Sequence, residues 1–138
     1  MRLDVVTPRG SLLSTEVEEV TAPGILGEFG VLPGHVPFLT GLRAGVLRYR
    51  GRGHQGVLAV GAGFAEVSND RIIVLCDLGR KAEDVDAAAA KRDMDEAQRR
   101  LDHWESPDAG ARAEVEAQRA WAQARVEAAA EKSATHLH

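Results

Sequence analysis

Over the first 82 positions, apolar residues come in short, partly alternating runs separated by turn residues. Residues 3–7 stop at Pro8-Arg9-Gly10, residues 17–22 at Pro23-Gly24, and residues 45–50 at Gly51-Arg52-Gly53. Runs of this length between such breakers predict β-strands. Residues 64–68 and 71–76 flank Asn69-Asp70, two residue types that tolerate positive φ, and this predicts a tight hairpin. Repeated short strands at this spacing predict about nine or ten strands in a β-sandwich or barrel.

Beyond position 83 the period changes. Ala87, Ala90, Met94, Ala97, Leu101 and Trp104 recur at steps of three and four, one stripe of a helix. Ser106-Pro107-Asp108 offers an N-cap, a proline fit for a first helical turn and an acid for the positive helix end. A second helix is predicted to run to about Lys132, with Ala113, Ala117, Ala120 and Ala124 as its seam. Alanine buries little area, so the large anchors are Leu101, Trp104, Val115, Trp121 and Val126, and the hairpin is expected to be weakly held.

Composition divides at the same place. Thirteen of the 14 glycines and four of the five prolines precede position 83, while residues 83–138 hold 16 alanines. Residues 1–82 carry a net charge of +1 and residues 83–138 carry −5. The predicted fold class is therefore α+β: a sandwich or barrel of about nine or ten strands over 1–82, followed by an antiparallel two-helix arm over 83–138.

Charge and composition also narrow the function. A formal net charge of −4 with 4% aromatic residues offers neither a basic footprint nor a stacking platform for nucleic acid. No apolar run approaches the roughly 20 residues of a membrane-spanning helix, and the opening Met-Arg-Leu-Asp reads as strand instead of signal peptide, so a cytoplasmic location is expected. Cys76 is the single cysteine and sits in an apolar run, which suits a small core residue; no metal site is expected.

Residues 22–40 mix strand-like positions with rigid turns. Pro33-Gly34 favours a tight turn and Pro37 restricts the backbone after His35, so that Glu28 and His35 are expected at one edge of the sandwich. An acid and a histidine could serve as a catalytic pair in a small hydrolase or lyase. No nucleophile, metal-ligand spacing or glycine-rich phosphate loop accompanies them, so contact residues at a binding edge fit better. A free-standing β-sandwich adaptor or ligand-binding protein is the alternative from a different class.

The stretch GEFGVLPGHVPFLT, residues 27–40, closely resembles the GE-x-G-x-x-PGH-x-P segment of F-type ATP synthase epsilon subunits. The resemblance extends to the opening LDVVTPRG, to the hairpin region VGAGFAEVSNDRIIVL and to the alanine-rich tail. It implies a ten-stranded β-sandwich followed by a two-helix arm, in a non-catalytic rotor subunit on the cytoplasmic face of the bacterial plasma membrane that couples the c ring to the gamma subunit. The matched Glu28, Pro33, Gly34 and His35 would lie at the edge that meets the c ring and gamma. An extended arm would reach the catalytic alpha and beta subunits.

Some relatives bind ATP on the arm through an I/L-D-x-x-R-A motif, which aligns here with residues 85–90. Ala89 stands where the arginine is expected, leaving Asp86, Arg119 and Arg125 as candidate nucleotide contacts. ATP sensing is therefore expected to be weak or absent, and no cofactor is implied. The arm's basic residues Arg112, Arg119, Arg125 and Lys132 are expected to form a solvated face, with Asp95–Arg99 and Glu96–Arg100 as pairs along the first helix.

Overall fold

A computed structural model describes residues 1–136, with side chains through residue 132. Ten strands occur: β1 Arg2–Thr7, β2 Gly10–Glu16, β3 Glu19–Gly24, β4 Gly27–Val31, β5 Phe38–Leu42, β6 Gly45–Gly51, β7 His54–Val60, β8 Gly63–Ser68, β9 Arg71–Cys76 and β10 Gly79–Lys81. A 3-10 turn at Ala82–Asp84 leads to α1, Ala87–Asp102, and then α2, Ala109–His136. The strand order is β10-β7-β6-β3-β5-β8-β9-β1-β2, with β4 paired to β3. Every pairing is antiparallel except β1 with β9.

Alternation along the strands sets the core. Leu3 and Val5 of β1, Val20 and Ala22 of β3, Ala65 and Val67 of β8 and Ile72, Val74 and Cys76 of β9 all point inward, two residues apart on each strand. Asn69 and Asp70 adopt φ of 46° and 61°, the left-handed pair that a two-residue hairpin requires. The strand expected over 17–22 lies two residues later, at Glu19–Gly24: buried Val17 donates its N–H to Met1 O at 2.7 Å, and Glu18 N donates to Arg50 O of β6 at 2.7 Å as the pairing with β6 begins.

The arm is layered. α2 lies on the outer surface of β6 and β7, and α1 lies on α2. Ala124 and Ala128, with Trp121 beside them, meet Val46 of β6, Ala59 of β7 and Ala82. Val115 and Ala122, a heptad apart, are buried on the side of α2 turned away from the sheet, toward α1.

The expected alanine seam is therefore corrected: Ala113 and Ala117 are exposed. A helix wedged between a sheet and a second helix must bury two faces, and a search for one stripe picks neither face alone. The N-cap of α2 also moves. Asp108 Oδ1 accepts from Ala111 N at 3.0 Å, so Asp108 caps the helix, and Ser106 Oγ accepts from Asp108 N. Trp104 lies beyond α1 and donates its indole N–H to Ser106 O at 2.8 Å. Asp95 pairs with Lys91 at 3.2 Å, in place of Arg99.

Candidate partner-binding edge

The turn expected at Pro33-Gly34 forms. His35 N donates to Leu32 O at 3.2 Å, and Gly34 has φ of +81°. Proline at the second position and a positive-φ glycine at the third define a type II turn. His35 Nδ1 lies 3.0 Å from Val36 O, and its ring meets Phe38 edge-on with centroids 5.2 Å apart. Phe38 in turn meets Phe29 of β4 at 5.5 Å. This aromatic chain fixes the histidine loop against the sandwich.

Glu28 is on β4, and its carboxylate faces elsewhere. Its Oε2 accepts from Arg48 Nη1 at 3.0 Å, while Arg48 Nε donates to Glu131 Oε1 of α2 at 2.6 Å. Partial burial works against the charge on Arg48, but the hydrogen bonds it donates to Glu131 and then Glu28, with their negative charges, outweigh it and hold the guanidinium pKa above its usual value. Glu131 Oε2 is buried and has no partner among the described residues.

Glu28 on β4 and His35 in the loop after it do not hydrogen bond to each other: the carboxylate turns to an arginine, the imidazole to a phenyl ring. Sequence reasoning missed Arg48, whose partner Glu131 is 83 residues away. The local signal is weak, because Arg48 shares its strand with a second arginine, Arg50.

A second surface was also not singled out. Ile25 packs its side chain over Gly41, the residue opposite Phe64, which in turn faces Leu75. Ile25, Phe64 and Leu75 are 61%, 59% and 52% exposed, and Leu39 joins them from β5. A row of large apolar side chains crosses the outer face of β5, β8 and β9, the kind of patch that marks a protein interface.

The residues considered for nucleotide are engaged within the arm. Asp86 caps α1, its Oδ1 accepting from Ala89 N at 3.0 Å. Arg119 donates to Gln98 and, at 2.9 Å, to Gln123. Arg125 donates to Asp93 at 3.0 Å. Arg125 also lines a cleft of about 370 Å3 with Asp93, Glu96, Arg100, Gln118 and Trp121, and Asp86 and Arg119 lie outside that lining. Arg112 pairs with Glu116 at 3.0 Å.

Residues 1–82 match the family model described as ATP synthase, Delta/Epsilon chain, beta-sandwich domain. The ATP synthase epsilon chain of Nitratidesulfovibrio vulgaris is 43% identical over 126 residues, covering 91% of this chain and 94% of that one. This chain belongs to the ATP synthase epsilon chain family. The epsilon chain of Citrifermentans bemidjiense is 46% identical over 101 residues, 73% of each chain. Among solved structures, a chain of the Euglena gracilis mitochondrial ATP synthase (OSCP/F1/c-ring) matches with a TM-score of 0.75 at 23% identity, covering 99% of this chain and 80% of that one. A chain of the Tetrahymena thermophila mitochondrial ATP synthase, central stalk and c-ring, matches with a TM-score of 0.61 at 13% identity, covering 94% and 96%. Both reproduce the epsilon fold. As an epsilon chain the protein is a non-catalytic subunit of the ATP synthase complex. No helix among the described residues is long and apolar enough to cross a membrane.

Proposed function

We propose that this epsilon chain works in the central stalk, joining the gamma subunit to the c ring so that rotation passes between them. The observation that carries this reading is the exposed apolar row of Ile25, Leu39, Phe64 and Leu75 on the sandwich of a family member that resembles central-stalk chains along almost its whole length. An apolar row of this kind suits a permanent interface with gamma. The edge of Glu28, Pro33, Gly34 and His35, with Leu32 and Val36 exposed around the turn, suits the polar loops of the c ring. The catalytic alpha and beta subunits come within reach if α2 leaves the sheet. The complex lies on the cytoplasmic face of the bacterial plasma membrane, a reading supported by the bacterial origin of the relatives. A free-standing adaptor has no observation in its favour.

Two parts of this reading concern the arm. Residues 1–82 are proposed to fold and assemble without residues 83–138, because every residue of their main buried cluster lies within 1–82. ATP is proposed not to control the arm, because Ala89 offers no guanidinium and Asp86, Arg119 and Arg125 are already engaged.

The test is co-purification of the chain with gamma and the c ring. Wild type should be retained, and Phe64→Glu/Leu75→Glu should be lost from gamma. Glu28→Ala and His35→Ala should assemble yet uncouple proton pumping from hydrolysis. Normal assembly of the Phe64→Glu/Leu75→Glu variant would remove the apolar row from the interface.

A further inference from the structure

One guanidinium serves two carboxylates that belong to different parts of the molecule. Arg48 gives Nη1 to Glu28 on the partner-binding edge and Nε to Glu131 on the arm, and Nη2 has no partner among the described residues. Glu131 Oε2 lies buried and, among the described residues, unpaired. An arginine and a carboxylate bind most strongly through two parallel N–H···O bonds, and a buried carboxylate oxygen without a donor carries an uncompensated desolvation cost. The Arg48 side chain is 39% exposed, so the buried deficit is on Glu131 Oε2; with Nη1 given to Glu28, Nε alone of the Nε/Nη2 side reaches Glu131.

We propose that Arg48 is a shared cation through which withdrawal of Glu28 tightens docking of the arm onto the sandwich. Freed from Glu28, the guanidinium turns so that Nε and Nη2 meet Oε1 and Oε2 of Glu131 together, and the repulsion between the two carboxylates disappears. The linkage is reciprocal: release of the arm leaves Arg48 to Glu28 alone. Its extension to the assembled complex rests on the proposed role of Glu28 at the c-ring edge. There, a partner that draws Glu28 away would favour the docked arm, and an undocked arm would hold Glu28 back from the partner.

Hydrogen exchange of the isolated full chain tests the linkage without any partner, so its outcome is separate from the c-ring reading. Amides of residues 120–131 report undocking of α2, and those of β8 and β9 report integrity of the sandwich. Arg48→Gln and Glu131→Gln should each speed exchange in 120–131 by roughly 2- to 5-fold, the range for a partly exposed ion pair, with β8 and β9 unchanged. Glu28→Gln should slow it by up to about 2-fold, and should do nothing in the Arg48→Gln background. Arg48→Lys, which keeps the charge but loses the fork, should also abolish the effect of Glu28→Gln. If Glu28→Gln leaves exchange in 120–131 unchanged, speeds it, or acts equally with and without Arg48, the shared cation is wrong. Should Arg48→Gln disturb β8 and β9, the Arg48→Lys background decides in its place.

Discussion

Arg125 Nη2 stands 3.0 Å from Asp93 Oδ2, and its guanidinium carbon lies 5.5 Å from the centroid of the Trp121 ring one turn earlier on the same helix. The side chain is 18% exposed and joins α2 to α1, whose contacts are made with α2. Arg125→Met, which keeps much of the stem, should loosen α1 by about 1 kcal/mol, the sum of a partly screened ion pair and a cation–π contact. Exchange of α1 amides should quicken while β6 and β7 stay protected; protection of α1 equal to wild type would show that the clamp contributes nothing.

Packing in the arm makes a contrast between a leucine and an alanine. Leu101 is only half-buried, so Leu101→Ala should cost about 1 kcal/mol, less than the roughly 2–5 kcal/mol of a buried leucine. Ala124 is 1% exposed between α2 and the sheet, and Ala124→Leu should cost about 1–3 kcal/mol by overpacking. Fluorescence of Trp121 during denaturant unfolding would rank the two, and the alanine variant at 101 should be the milder.

Asp4 gives the sandwich a component of its acid sensitivity. The hydrogen bond from Ser14 lowers its pKa most, burial opposes this, and Arg71 and Arg2 lower it further, leaving it below its ordinary 3.8. A depressed folded pKa contributes stability that is present above the unfolded value and is lost as pH falls through the folded one. Asp4→Asn should therefore destabilise the protein at pH 7, with the gap to wild type shrinking below pH 3.8. A gap constant from pH 7 to pH 2 would contradict this origin.

Cys76 should resist alkylation. Burial and the nearby Asp77 carboxylate push its thiol up to about 11, against a backbone hydrogen bond from Gly61 that works the other way. At pH 8 the thiolate is then on the order of 0.1% of the folded population. Reaction with iodoacetamide should proceed at the rate of global unfolding, and rapid labelling of native protein would place the thiol outside the core.

The features visible in the sequence are those set by near neighbours. Asn69-Asp70 announces its own turn, Pro33-Gly34 its own, and the change of period at position 83 separates strands from helices. Asp86 was a capping residue in plain sight, three positions before the amide it receives. The errors concern relationships that are distant in sequence. The seam at Ala113 and Ala117 fails because periodicity cannot say that α2 has two neighbours. Arg48 was invisible as a contact because its carboxylates lie 20 positions before it and 83 after it. The apolar row is assembled from the β3–β4 turn, β5, β8 and β9, and each contributes a single member.

The one parallel pairing in the sheet has a bearing on how the chain is made. β1 carries the register Arg2↔Arg71 to Val6↔Leu75, so the N-terminal hairpin of β1 and β2 can attach to the sheet only after residue 76 has left the ribosome. Until then Leu3 and Val5 must wait in a hairpin with a single strand partner, and isolated hairpins are marginal in water. A nascent chain halted before β9 would expose those residues to any other open strand edge, which makes the last third of the sandwich the step that protects the first two strands from aggregation.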